Sequence, residues 1–270
     1  KNRSDLNTYY NVGKLLSEAG KHYGEGIIKE YSKRLTNELG KGYSISNLKN
    51  MRNFYVFFSK SQTMSGQLTW SHYREVLSLG NFNEIKYYLE ECENKNLSVR
   101  ELHFKIKTKE YERLSKKVKQ NLEKTKKLKI DDLIPNPIII KSNTFKDELS
   151  EYALKEVILN DLDSFLKELG TGFSYVGNEY KIKIGDRYNY IDLLLFNYEF
   201  NCFVVVELKV TELKKEHIGQ IEFYMNYIDK NLKNINQNKT IGIIICKKEN
   251  KYVIEYCSDD RIIAREYELM

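Results

Sequence analysis

Two short runs, "YIDLLLF" at residues 190–196 and "VVVELKV" at 204–210, most constrain what this chain can fold into. Each has the length and the aromatic or β-branched content of a strand, and the "NYEF" between them suits a turn. Strands joined this way form an antiparallel hairpin whose apolar faces need covering layers. Both runs nevertheless carry charge: Asp192 in the first, Glu207 and Lys209 in the second. Taking an ion out of water costs on the order of several kcal/mol, so these charges require a partner, a metal or a cavity.

The flanking segments extend the hairpin to an α/β plan. "DELSEYALKEVILNDLDSFLKELG" (147–170) has the period of an amphipathic helix stopped by Gly170, a residue suited to a left-handed cap. "EYKIKIG" reads as a strand ahead of the hairpin, "KEHIGQIEFYMNYIDKNL" (215–232) as a helix, and "TIGIIIC" and "KYVIEYC" as further strands. Because "TIGIIIC" is apolar on both faces, it is expected between two layers. The expected fold is an α/β domain with a mixed sheet flanked by helices, preceded by an all-α part.

From Leu6 to about Lys129 the apolar residues return every three or four positions, as in "IIKEYSKRLTNEL" (27–39), "SNLKNMRNFYVFF" (46–58), "NEIKYYLEEC" (83–92) and the long stretch 98–129. Ser46 is the expected N-cap of the second of these helices. The helix, short break and helix across 27–58 fit either a plain bundle or a DNA-reading helix-turn-helix. In the second case Lys41, Asn47, Lys49, Asn50, Arg52 and Asn53 would face nucleic acid. The stretch after Glu110 is strongly basic, and "DDLIPNPIII" holds both prolines, which helices do not continue through easily. We therefore expect a helical, DNA-binding or dimerising domain over 1–134 and an α/β domain over 135–270, with the junction near 130–146.

Charge supports that division. Residues 1–134 hold 26 Lys plus Arg against 16 Asp plus Glu, and residues 135–270 hold 18 against 22, so a net charge of +6 separates into +10 and −4. A basic part fits a polyanion and an acidic part fits cations, although a lysine-rich surface also serves solvation alone. No apolar run reaches the roughly 20 residues of a membrane span and the first residues do not resemble a secretory signal, so the expected location is cytoplasmic. Cys92, Cys202, Cys246 and Cys257, and the four histidines, have neither disulfide-framework nor zinc-ligand spacing.

Glu207 and Lys209, two apart on a strand, share a face, and Asp192 on the neighbouring strand can lie beside them. Paired carboxylates suit Mg²⁺, which prefers hard oxygen ligands, and a nearby amine can orient water or offset phosphate charge. Salt bridges from Asp192 to Lys209, and from Glu207 to Lys183 or Arg187, are the structural alternative. E-x-K occurs six times in the chain, but only Glu207/Lys209 lies inside an apolar strand after an Asp in another.

Asp192, a 14-residue interval, then Glu207-Leu208-Lys209 resembles the D-x(n)-E-x-K core of the PDDEXK, or restriction-endonuclease-like, nuclease superfamily. "FLKELGTGFSYVG", "YIDLLLFNYEFNCFVVVELKV", "IGQIEFYMNYID" and "TIGIIICKKENKYVIEYC" resemble, in that order, the nuclease domain of YhcG-type proteins. "GKGYSISNLKNMRNFY" and "LTWSHYREVL" resemble their N-terminal helical domain of unknown function.

The resemblance implies a Mg²⁺-dependent deoxyribonuclease, with Mn²⁺ as a substitute. Asp192, Glu207 and the Leu208 carbonyl would hold the metal, Lys209 would position the attacking water, and Gln220 would assist. Tyr224 and Tyr227 follow Gln220 on one helical face. Superfamily members often place a Glu on the preceding helix near position 155, where this chain has Lys155 and then Glu156, which leaves Glu156 a lesser candidate with Tyr224. DNA is the expected partner in preference to RNA, and a homodimer would supply two sites for paired breaks. The alternative is a catalytically silent nucleic-acid-binding or assembly module on a nuclease fold.

Overall fold

The computed structural model describes residues 2–23, 26–59, 67–121, 129–142, 149–257 and 259–270. The chain separates into two compact units, Lys1–Tyr111 and Glu112–Met270. Among the described residues, no helix is long and apolar enough to cross a membrane.

The first unit is helical: α1 (Asn2–Tyr23), α2 (Gly26–Leu39), α3 (Ile45–Phe58), α4 (Trp70–Val76), α5 (Phe82–Lys95) and α6 (Val99–Lys107), followed by α7 (Glu110–Arg113). Leu16, Ile28, Leu48 and Met51 form one core, and Phe54 packs edge-on against Trp70 and Tyr73. Helices α1 and α3 cross closely because residue 13 is glycine: a Cβ there would collide with the Met51 carbonyl. Ser44, rather than Ser46, caps α3 by accepting the Asn47 amide at 3.3 Å, since the helix starts at Ile45 and Ser46 already lies within it. The stretch 98–129 is broken into short helices: Thr108 closes α6, Lys109 takes a left-handed φ of 53°, and α8 spans Lys116–Asn121. The basic residues 122–128 lie outside the described residues.

The second unit is built on a six-stranded sheet: β1 (Ile138–Ile140), β2 (Phe173–Ile184), β3 (Arg187–Asn197), β4 (Cys202–Glu212), β5 (Ile241–Lys248) and β6 (Ile262–Leu269), in the order β1-β6-β5-β4-β3-β2. The β2, β3 and β4 strands are antiparallel neighbours, whereas β4, β5, β6 and β1 run parallel, so the sheet is mixed. One face is covered by α10 (Glu151–Asn160) and α11 (Leu162–Leu169), whose Leu154, Ile158, Phe165 and Leu169 pack on Leu193, Val204, Val206, Leu208, Ile243 and Ile245. The other is covered by α12 (Lys215–Asn231), whose Ile221, Met225 and Ile228 pack on Val205 and Ile244. Even-numbered positions of β4 thus face one layer and Val205 the other, as strand alternation requires. Gly242 lets α12 approach β5: a Cβ there would lie 2.6 Å from Met225 Sδ.

Three sequence expectations are corrected. The stretch 151–169 is two helices, because Asp161 ends α10 and caps α11 by accepting the Ser164 amide; residues 147 and 148 lie outside the described residues. "KYVIEYC" is helix α13 (Lys251–Cys257), and the strand in that place is β6, formed by the following "IIAREYEL". A seven-residue apolar run does not distinguish the two by periodicity, and here the i, i+4 bond from the Ile254 amide to Asn250 starts a helix. The chain from Glu112, expected with the helical part up to residue 134, clusters with the second unit: Ile130, the first residue of α9 (Ile130–Leu133), and Ile134, just after it, enter the core of Ile138, Leu154 and Leu169. Arg113 donates to the Pro137 carbonyl and to Glu168, each at 2.5 Å, and Glu168 also accepts the Ile139 amide. Cys92, Cys202 and Cys246 are buried free thiols, and burial pushes them up to about 12, 11 and 12. The side chain of Cys257 lies outside the described residues.

Candidate active site

Strands β3 and β4 pair from Asn197 opposite Cys202 to Leu193 opposite Val206. At the next position the side chain replaces the ladder: Asp192 Oδ2 accepts the Leu208 amide at 3.0 Å. The two strands are therefore pinned where Asp192 and Glu207 would face each other. Glu207 and Lys209 lie on the same side of β4 and are only 2% and 7% exposed. Lys209 Nζ is 3.5 Å from Glu207 Oε2 and 3.4 Å from Glu151 Oε2. The ion pairs of these charges are thus with Lys209 and α10, and not between Glu207 and Lys183 or Arg187.

Burial pushes the Glu207 carboxyl up to about 8, the Asp192 charge pushes in the same direction, and Lys209 offsets part of both. Asp192 is raised by burial against the counteracting Leu208 amide, Lys209 and Lys155. Lys209 is raised despite its burial, because Glu207, Glu151 and Asp192 surround it. Glu207 Oε1 is buried with no hydrogen-bond partner, the single such side-chain atom among the described residues. Buried polar atoms are nearly always paired, so an orphaned carboxylate oxygen beside a second carboxylate marks a place prepared for a donor or a cation.

Helix α10 supplies two side chains that sequence reasoning did not assign to the site. Ser150 caps it by accepting the Ala153 amide, which sets Glu151 on the first turn and Lys155 one turn later. Glu151 reaches Lys209, while Lys155 lies 3.9 Å from Asp192 Oδ1 and donates to Glu179 Oε1 at 2.7 Å. Glu179 adopts a left-handed φ of 45°, a conformation rare for a non-glycine residue. Glu156 follows Lys155, and one residue turns a helical side chain by about 100°. The sequence signal was the i, i+4 pair behind a serine cap.

On α12, Gln220 Nε2 donates to the Tyr224 hydroxyl at 3.2 Å, and Tyr224 is buried in the core beneath the helix, with Tyr227 packed at its edge. The His217 ring, whose Nδ1 accepts the Lys214 amide at 3.2 Å, is lowered by burial and by Lys209. In the helical unit, Lys41, Lys49 and Asn53 are exposed, while Asn50 and Arg52 are half-buried. Asn47 is committed within the unit: its amide donates to the Gly42 carbonyl and its oxygen accepts the Trp70 indole N–H at 3.2 Å. Asn53 lines a cleft of about 280 Å³ with Val56, Phe57, Leu77, Gly80, Phe82 and Ile85.

Residues 131–270 match the family model of the YhcG PDDEXK nuclease domain. The chain belongs to that family. Residues 2–113 match the DUF1016 N-terminal domain. Among curated relatives, the Escherichia coli (strain K12) protein described as "Putative nuclease YhcG" is 29% identical over 309 residues, covering 97% of this chain and 82% of that protein. Two solved structures also match. A repair endonuclease from Pyrococcus abyssi shares 16% identity over 47% of this chain and 49% of its own, at a TM-score of 0.31. EndoMS in complex with dsDNA shares 17% identity over 48% of each chain, at the same score. Likenesses that slight carry no argument.

PDDEXK domains generally use divalent metal ions, and the donor set here fits one. Asp192 and the orphaned Glu207 oxygen supply hard ligands, with the Leu208 carbonyl between Glu207 and Lys209 in the chain. Among the described residues no group of three or more His, Cys, Asp and Glu gathers that could hold a metal by itself. Mg²⁺ keeps several waters and is commonly held by one or two carboxylates, which suits this set.

Proposed function

We propose that this protein is a metal-dependent nuclease that hydrolyses phosphodiester bonds in DNA, with the helical unit holding the nucleic acid. The observation that carries this reading is the buried, unpartnered Glu207 oxygen beside Asp192 and Lys209, in a domain of the PDDEXK nuclease family. Asp192 serves the fold by accepting the Leu208 amide, but burying a second, partly unpaired carboxylate beside it costs stability, and such a pair is what a metal-assisted phosphodiester hydrolase uses.

Asp192 and Glu207 would hold Mg²⁺ or Mn²⁺ with the Leu208 carbonyl. Such an ion stabilises charge on the phosphoryl oxygens and lowers the pKa of bound water. Lys209, fixed between Glu207 and Glu151, would orient the attacking water by donating to it and offset charge developing on the phosphate. Lys155 lies 3.9 Å from Oδ1, the Asp192 oxygen that does not accept the Leu208 amide. Gln220, bonded to Tyr224, and Glu156 remain lesser candidates for supporting roles, with no hydrogen bond or ion pair to this trio among the described residues. The basic excess of residues 1–134, with Lys41, Lys49, Asn50, Arg52 and Asn53 on or near α3, supports phosphate binding by that part.

The reading is tested by incubating the full chain with supercoiled, linear, single-stranded and branched DNA in Mg²⁺ or Mn²⁺, alongside Asp192→Ala and Lys209→Ala. Cutting by the wild type that both substitutions abolish supports it. Cutting that persists in both, or no cutting of any substrate by the wild type with either ion, rejects it.

A further inference from the structure

The β2–β3 hairpin runs on past the site as a ribbon with two unlike faces. Between Gly177 opposite Leu194 and Ile184 opposite Arg187 its register is constant, so residues facing each other across it share a side. On one side Ile182 and Ile191 are buried and Tyr180 and Ile184 pack on the α12 core. The other side carries Tyr188 opposite Lys183 and Tyr190 opposite Lys181, and the next positions along it are Asp192 and Glu179.

Tyr188 and Tyr190 are each 52% exposed, and both lysines are exposed. Lys181 Nζ stands 3.8 Å from the centre of the Tyr188 ring and Lys183 Nζ 5.9 Å, which keeps the cations against the aromatic faces. From Tyr180 to Ile191 the only carboxylate is Asp186 in the turn. Two tyrosines left half in water on a strand that buries its other face are not needed by the core. A strip made for solvation alone would not interleave them with lysines.

We infer that this face grips unpaired nucleotides of the DNA strand being cut, with bases stacked on Tyr190 and Tyr188 and phosphates met by Lys181 and Lys183. The inference rests on the nuclease reading, because the strip takes its meaning from its continuity with Asp192. Residues two apart on a strand lie about 7 Å apart, so the two rings form successive platforms leading away from the carboxylates. Phosphate binding alone would need only the lysines. Stacking on tyrosine needs an open base face, which a paired duplex interior does not offer, and each such stack contributes about 1–3 kcal/mol. The substrate class is therefore DNA with a single-stranded segment beside the scissile bond.

The test uses the full chain in EDTA, so that binding is read without cutting. Fluorescence anisotropy compares a labelled blunt duplex, the same duplex with a single-stranded tail, and the single strand. The proteins are wild type, Tyr188→Ala/Tyr190→Ala, Tyr188→Phe/Tyr190→Phe and Lys181→Ala/Lys183→Ala. The wild type is expected to bind tailed and single-stranded DNA more tightly than the blunt duplex. The alanine pair at the tyrosines is expected to lose that preference by about tenfold or more, and the phenylalanine pair, which keeps the rings, to retain it. The lysine pair is expected to weaken all three DNAs and to flatten the salt dependence.

Equal binding of blunt and tailed DNA by the wild type, or a tyrosine pair whose removal leaves the preference intact, overturns the inference. So does an equal loss in the alanine and phenylalanine pairs, which would place the interaction on the hydroxyls and not on ring stacking. The two readings fail separately: a wild type that cuts while the tyrosine pair leaves binding unchanged sinks this inference only. A tyrosine-dependent tail preference in a protein that cuts nothing sinks only the nuclease reading.

Discussion

The Asp192 carboxylate accepts the Leu208 amide at 3.0 Å, one position beyond the last ladder pair of β3 and β4. A single carboxylate thus both holds the strands together where they part and stands beside Glu207. Asp192→Asn keeps an acceptor at that place and Asp192→Ala removes it. Loss of the bond leaves a buried N–H unsatisfied, at about 1–3 kcal/mol. Hydrogen exchange at the Leu208 amide should accelerate markedly in the alanine variant and little in the asparagine variant; equal exchange in both would refute the pinning role.

Glu207 gives the metal-free protein a distinctive pH dependence. Its folded carboxyl is raised from 4.5 to about 8. Between those values the unfolded chain has released a proton that the folded chain keeps, so this group makes stability fall as pH rises through that window and level off above it. Glu207→Gln removes the charge and should raise the denaturation midpoint of the second unit at pH 8, in EDTA, relative to pH 5. A wild-type advantage at pH 8 would contradict the assignment.

Lys155 places a cation 3.9 Å from Asp192 Oδ1, the carboxylate oxygen that does not accept the Leu208 amide. A fixed positive charge next to a metal ligand opposes the metal, so Lys155→Ala should tighten Mn²⁺ or Mg²⁺ binding several-fold by calorimetry while slowing cleavage. Unchanged affinity would show that Lys155 serves the Glu179 contact alone.

The Arg113–Glu168 pair, with both side chains buried, ties Arg113 to α11, and Glu168 also holds the Ile139 amide of β1. Removing one member of a buried pair costs about 3–5 kcal/mol. Glu168→Ala should therefore lower the thermal midpoint of the second unit clearly, and Glu168→Gln less so because it still accepts the Ile139 amide.

Four of the six strands, and the mid-strand placement of Asp192, Glu207 and Lys209, were legible because the relevant signals are local; the three-residue β1 is too short to give one. Apolar β-branched or leucine-rich runs with mid-strand charge, as in "YIDLLLF" and "VVVELKV", require only strand geometry and burial between two layers. Residues 251–257 were not legible: a short apolar run suits either element, and tertiary contact chose the helix. Lys155 and Glu151 were missed for a different reason. Helix α10 is distant in sequence from β4, and the contact of Glu151 with Lys209 spans 58 positions that no pattern within either segment encodes. Asn47 shows the converse, since its place on α3 suits DNA reading while its side chain is occupied by Gly42 and Trp70.

The central claim is tested most directly by single-turnover nicking of supercoiled plasmid in Mg²⁺ by wild type, Glu207→Gln and Lys209→Ala, with DNA binding measured on the same preparations. The account predicts that both variants bind as the wild type does while cleavage falls by about 10²–10³-fold or more, the range for losing one group that stabilises developing charge. Nicking by either variant at the wild-type rate would show that the buried trio on β3 and β4 is not where the phosphodiester bond is cut.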